Sequence, residues 1–451
     1  MIEHSPSSNL GRRPRLAAAA LLVILPAVAL PPAAAAQAAE HWVGTWAAGL
    51  QAQAPPDPAS GQDPGQDLFG PLARVRNQTL RQIVRTTIGG SRLRVAFTNV
   101  FGTQPLEVGA AHAAVRAAGA AIEPGTGATL TFGGRASVTI EAGSTVLSDA
   151  LDLEVPALGH LAVDLYLPGD NWASGSPAST LRGAWTTGYI SPAGDHGGAL
   201  EMPVEATLQS WLYLSRVEVA ASAATQVVVT LGDSITEGFG STADADRRWP
   251  DVLAERLGAE LGADAPAVLN VAISGNRVLR GNDGAFGTAG GGAGPPNPNA
   301  GFGPSALSRF DRDVLLQPGV THVVVLESIN DIGMAGDAAA PTVEELIAGH
   351  RALIQRARSH GLTIYGGTLT PFEGALYFTE AGEAKRQAVN EWIRNSGEYD
   401  AVIDFDAVVR DSADPRRFLP LYHPGDWLHP NDEGYRAMGE AIDLTLFTAP
   451  R

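Results

Sequence analysis

Between residues 226 and 447 the sequence repeats one alternation, a short apolar run followed by a segment of helical period. The runs are Gln226–Leu231, Ala267–Ile273, Thr321–Glu327, Leu362–Thr368 and Ala401–Phe405. The helical segments are Trp249–Leu261, Ser305–Leu316, Val343–Ser359, Thr379–Ser396 and Asn431–Phe447. Strands this continuously apolar are buried on both faces, so the pattern predicts a parallel sheet with helices on either side. The right-handed crossover rule then gives an α/β fold, a three-layer, flavodoxin-like arrangement. In such sheets ligands bind outside the carboxyl ends of the strands.

Residues 39–221 carry a different pattern. Thr79–Thr87, Arg92–Thr98, Ala136–Ile140 and Leu161–Leu167 are short runs with partial period-two alternation. Gly, Asn, Asp and Pro punctuate them, and no clear amphipathic helix intervenes. This predicts an all-β, sandwich or jelly-roll-like domain before the α/β domain at 222–451. Gly89-Gly90 reads as a hairpin turn between the first two runs. Gln51–Gly70, rich in Pro, Gly, Asp and Gln, reads as a loop. Asn77-Gln78-Thr79 fits a glycosylation acceptor, but Thr79 opens a strand, so the match is read as chance. Residues 281–303 form a long Gly- and Pro-rich connection after the second apolar run, and are either a lip over the site or a spacer.

The first 38 residues read as a secretory signal peptide. Arg12, Arg13 and Arg15 precede the apolar stretch Leu16–Leu30, and Ala36-Gln37-Ala38 supplies a small-residue cleavage site. A membrane anchor is disfavoured because the apolar run is short and broken by Pro26. Arg12-Arg13 matches the pair of a twin-arginine signal, but the residues after it fit that signal poorly. The expected location is therefore extracellular, with no stable membrane anchor. The net charge of −17 argues against a nucleic-acid partner, which needs clustered Lys and Arg. With no cysteine in the chain, a thiol nucleophile and thiolate-bound metal are excluded, and the His residues show no metal-ligand spacing. Oligomeric state is not legible.

The first apolar run hands over to Gly232-Asp233-Ser234. A serine at that edge can be a nucleophile if a base lies within hydrogen-bond reach. Taken alone, the same residues are equally a β-turn satisfying nearby backbone. Asp426 and His429, three apart before the last helix, supply an acid and a base, or a turn cap and a surface imidazole. His423 is a competing base. Donors for a developing oxyanion could come from Gly275, after the second run, and from the Asn330 side chain, after the third. Asp233, Arg277, Glu327, Phe372, Tyr377 and Trp427 are candidate cleft residues or, more commonly for such residues, packing and turn positions, with Asp233 and Tyr377 preferred for substrate binding.

In that order, Gly232-Asp233-Ser234, Gly275, Asn330 and Asp426-x-x-His429 resemble the blocks of the SGNH hydrolases, also called GDSL esterases/lipases. The resemblance covers residues 226–447. It implies that Ser234 is the nucleophile, His429 the base and Asp426 its partner. It places the oxyanion in a hole formed by the Ser234 and Gly275 amides and Asn330, and it requires no cofactor or metal. The third block departs from the common G-x-N-D, with Ser328 where Gly would stand, a change that leaves the Asn330 donor in place. The front half, with Trp42-Val43-Gly44-Thr45-Trp46-Ala47, resembles secreted two-domain members similar to arylesterases associated with xylan breakdown. The expected substrate is a short-chain acyl or aryl ester, small or attached to plant polysaccharide. The alternatives are a lipase or phospholipase with a longer acyl pocket, and a non-catalytic polysaccharide-binding protein.

Overall fold

The computed structural model describes Met1 and residues 40–56, 72–281 and 302–448. The predicted leader, most of the Gln51–Gly70 loop and nearly all of the 281–303 connection lie outside the described residues. The described residues from 40 onward form one compact unit.

Its first half is antiparallel β. One five-stranded sheet runs His41–Ala47, Leu214–Ala221, Gly90–Thr98, Leu151–Val155, with Thr145–Leu147 also on Gly90–Thr98. A six-stranded sheet centres on Arg76–Arg85 and His160–Asp170. Gln51–Gln53, expected as loop, instead forms a strand against Ala178–Leu181. The expected hairpin at Gly89-Gly90 is also corrected. Arg76–Arg85 and Gly90–Thr98 belong to different sheets, so the chain crosses between sheets there. The glycines serve close approach, not a tight turn. A Cβ on Gly89 would lie 2.6 Å from the Val155 carbonyl oxygen, and one on Gly90 2.8 Å from that of Ala220.

The second half is an α/β fold. We number its strands β1 (Val227–Gly232), β2 (Ala267–Asn270), β3 (Val320–Leu326), β4 (Thr363–Gly367) and β5 (Ala401–Ile403). All pairings are parallel and the order is β2-β1-β3-β4-β5. Every residue of β1 is buried, as a strand covered on both faces must be. This order reverses direction across β1 and β3, and the crevice at their carboxyl ends is where such sheets bind ligands. The helices are α1 (Ser234–Glu237), α2 (Trp249–Leu261), α3 (Ala306–Phe310), α4 (Ile329–Gly333), α5 (Val343–Ser359), α6 (Glu380–Asn395), α7 (Phe405–Val409) and α8 (Asp432–Glu440). A π-turn, Asp311–Leu315, continues α3. The longer helices carry their own start signals. Thr342 caps α5 in a capping box with Glu345, and Thr379 caps α6.

The two halves share one hydrophobic core that runs from Val43 to Phe447. Polar bonds join them as well. The Gly44 amide donates to the Pro318 carbonyl at 3.0 Å, and the Val268 amide donates to the Thr87 hydroxyl at 3.1 Å. None of the described helices is long and apolar enough to cross a membrane.

Candidate active site

The break after β1 is built by Asp233. Its carboxylate accepts the Ile235 amide at 2.9 Å and starts α1, which leaves Ser234 as the first helical residue. Far along the chain, the loop before α8 folds back on itself. One oxygen of Asp426 accepts the amides of Leu428 and His429, each at 3.1 Å, and so fixes the turn. The other oxygen lies 2.6 Å from His429 Nδ1, and His429 Nε2 lies 2.8 Å from Ser234 Oγ. The turn-cap and acid readings of Asp426 are therefore both true, one for each oxygen. The His429 side chain is only 12 % exposed. Phe239 stacks on it at 4.3 Å, and its carbonyl is held by the Tyr435 hydroxyl of α8 at 2.8 Å. Partial burial pushes the Asp426 carboxyl up, but the hydrogen bond and charge of His429 outweigh it and hold Asp426 below its ordinary range.

Gly275 follows β2 with φ +76, and a Cβ there would lie 1.8 Å from the Phe302 ring. Only glycine fits both the backbone and the contact. Among the described residues, neither the Ser234 nor the Gly275 amide meets an acceptor. Asn330, in the first turn of α4, donates from Nδ2 to the Asn276 carbonyl at 3.1 Å and accepts the Tyr377 hydroxyl at 3.2 Å. One Nδ2 hydrogen remains beyond that bond. Ser234, Gly275, Asn330, Tyr377 and His429 all line one cavity of about 90 Å³. Its other walls are Phe239, Ser274, Phe302, Met334 and Leu428, so it is mainly apolar.

Residues 230–437 match the GDSL-like Lipase/Acylhydrolase family. The C-terminal half of the chain is a GDSL-like lipase/acylhydrolase domain. It makes the protein an ester hydrolase. The chain is similar to a GDSL-like lipase from Bacteroides thetaiotaomicron VPI-5482, at 18% identity over 49% of this chain and 88% of that one, with a TM-score of 0.34. It is similar to the native aryl esterase of M. smegmatis at 16% identity over 48% of this chain and 95% of that one, TM-score 0.35. It is also similar to an alpha/beta hydrolase enzyme from the metagenome of Lake Arreo, Spain, at 20% identity over 49% and 94% of the two chains, TM-score 0.34. Comparison with curated proteins finds no match.

Several expected cleft residues of the hydrolase domain do not reach the cavity. Asp233 is 1 % exposed and engaged as the cap of α1. Burial first, then the nearby Asp331 charge, push its carboxyl up to about 7, against the pull of the Ile235 amide and Arg309. Arg277 is buried and donates to the Gly281 carbonyl at 2.6 Å. Glu327 is buried beside Arg309, 3.5 Å away, and burial raises it well above its ordinary range. Phe372 is fully buried against Phe378. Trp427 stacks on His423 at 4.1 Å, and the His423 Nδ1 accepts the Gly425 amide, so that histidine is no base for Ser234. Tyr377 does line the cavity, with its hydroxyl turned to Asn330.

Of the other residues at the site, Arg309 and Trp185 carried no sequence signal, whereas Asp331 closes the third block. Arg309 of α3, 1 % exposed, donates to the Gly232 carbonyl at 3.1 Å, to Asn276 Oδ1 at 2.9 Å and to the Val271 carbonyl. It ties the loops after β1 and β2 together. Asp331 accepts the Val278 and Leu279 amides at 2.7 and 3.1 Å, which ties the loop after β3 to that after β2. From the β half, Trp185 meets Phe239 edge-on at 5.3 Å, so that half reaches the ring that backs His429. Among the described residues, no group of three or more His, Asp or Glu is arranged to hold a metal ion.

Proposed function

We propose that the protein is an exported serine carboxylic-ester hydrolase that acts by two-step acyl transfer on esters of short acyl or small aryl acids. The ester is borne by a small molecule or by plant polysaccharide, in keeping with the predicted leader and the resemblance of the front half. The observation that carries the chemistry is the unbroken chain Ser234 Oγ–His429 Nε2, 2.8 Å, and His429 Nδ1–Asp426, 2.6 Å.

In this reading Ser234 attacks the ester carbonyl as His429 Nε2 takes its proton. Asp426 accepts from Nδ1–H, which keeps the free lone pair on Nε2 and stabilises the imidazolium that forms. The developing oxyanion receives the Ser234 and Gly275 amides and the spare Nδ2 hydrogen of Asn330, with Tyr377 holding that amide's orientation. His429 then protonates the leaving alcohol. Water, deprotonated by His429, attacks the acyl-enzyme, and Ser234 leaves with its proton restored.

The size of the cavity supports a small acyl group. An apolar cavity of about 150 Å³ holds a benzene ring, and the one beside Ser234 measures about 90 Å³. This favours an acetyl-sized group over a long chain. A series of p-nitrophenyl esters tests it. We expect kcat/KM to peak between acetate and butyrate and to fall at least about 10-fold by octanoate, since one misfit methylene is worth that much in a pocket. A maximum at octanoate or longer would replace this reading with a lipase. Acetate release from acetylated xylan, assayed beside the aryl acetates, tests the polysaccharide.

A further inference from the structure

Ser328 sits between β3 and α4 at φ +100 and ψ −15 and is fully buried. That left-handed region favours glycine, because a Cβ there crowds the backbone. A serine in front of a helix ordinarily caps it, accepting an amide of the first turn. Ser328 makes no such bond. Its hydroxyl lies instead 2.9 Å from His350 Nε2, in the middle of α5. The other nitrogen of that imidazole, Nδ1, lies 2.7 Å from the Tyr399 hydroxyl. His350 is 1 % exposed and Tyr399 5 %. A neutral imidazole donates at one nitrogen and accepts at the other, so both hydroxyls are engaged whichever tautomer forms. Burial lowers the His350 pKa to about 4, which keeps it neutral in ordinary buffers.

Two residues beyond Ser328 is Asn330, and the next, Asp331, is fastened to the loop after β2. The segment Ser328–Asp331 is therefore held at both ends: by Asp331 at the far end, and by His350 at an end whose backbone a serine does not favour.

We propose that His350, braced by Tyr399, is a positioning residue that clamps Ser328 in its left-handed conformation and thereby aims Asn330 at the oxyanion. This rests on the reading of Asn330 as an oxyanion donor. The clamp is needed because position 328 carries a side chain. A glycine there would hold the same backbone without it.

A double-mutant cycle in kcat and KM for p-nitrophenyl acetate tests the clamp, with every variant assayed below its melting temperature. His350→Phe should lower kcat about 10-fold with KM within about 2-fold, because a donor displaced by a fraction of an ångström loses most of its value in the transition state. In a Ser328→Gly background, measured against Ser328→Gly alone, the same substitution should cost less than about 2-fold, since the unstrained glycine needs no clamp. If His350→Phe fails to fold, Tyr399→Phe, which removes only the brace, should give a smaller kcat loss that Ser328→Gly also abolishes. An unchanged kcat, a change confined to KM, or an equal loss in both backgrounds overturns the clamp. Asn330→Ala separates the two levels: if it leaves kcat intact, the oxyanion reading itself falls. If it lowers kcat while the cycle shows no coupling, only the clamp falls.

Discussion

At the residue scale, function turns on how each side chain is aimed. Asn330 has one bond to the Asn276 carbonyl and one from Tyr377, and these leave a single N–H for the cavity. Asn330→Ala removes it, and kcat should fall about 10²–10³-fold with little change in KM, as for an interaction made mainly in the transition state. An equal rise in KM at constant kcat would assign the residue to ground-state binding. The five residues of this constellation were legible because each stands where a strand ends or a helix begins, and their order along the chain is itself a pattern. Asp233, Phe372, Arg277, Glu327 and Trp427 could not be sorted into cleft lining and packing because nearness to the same edge does not tell which way a side chain points. Phe372 points into the core, and Arg277 turns back to its own loop's carbonyl at Gly281.

At the scale of elements, the strands declared themselves as unbroken apolar runs, and α2, α5 and α6 through helical period. The short helices α1, α4 and α7 span four or five residues, too few for any period to show. Gly89-Gly90 shows the converse, a strong local signal with the wrong meaning. Two glycines fit a hairpin turn and a crossing between sheets equally well, and only the carbonyls of Val155 and Ala220 decide. Arg309 was invisible for a third reason. On a helix, arginine normally faces solvent, whereas here it reaches beneath β1 to gather the backbone of two loops. Arg309→Lys keeps the charge but not the planar fork, so it cannot hold these acceptors together. We expect at least about a 10-fold loss of kcat/KM together with a lower melting temperature, because acceptors buried without donors cost stability and the loops they anchor shift. Wild-type kcat/KM and melting temperature in this variant would show that the loops hold their places without it.

At the scale of the whole molecule, the β half is docked on the hydrolase half and reaches the site through Trp185 and Phe239. Nothing in the sequence marks those long-range contacts. The molecule also buries carboxyl groups under the site. Burial pushes Glu237 up to about 8, against the opposing hydrogen bond of Ser274 and the charges of Arg248 and Arg182. A carboxyl raised in the folded state holds a proton that the unfolded chain, at an ordinary 4.5, has released. Its contribution is thus present at low pH and is lost as pH rises toward 8. Glu237→Gln removes this dependence. Relative to wild type the variant should gain stability from pH 5 to 8, by at most about 1.4 kcal/mol per pH unit, and the comparison cancels every other titrating group. Parallel denaturation curves for the two proteins would mean that Glu237 is ionised in the fold. The kinetic effects presuppose that Ser234 is the nucleophile, and the most direct measurement is hydrolysis of p-nitrophenyl acetate by Ser234→Ala. The expected result is a properly folded protein whose kcat/KM has fallen by about 10⁴-fold or more, as when a triad member is lost. A variant that hydrolyses the ester within a few-fold of wild type would contradict the assignment of this site.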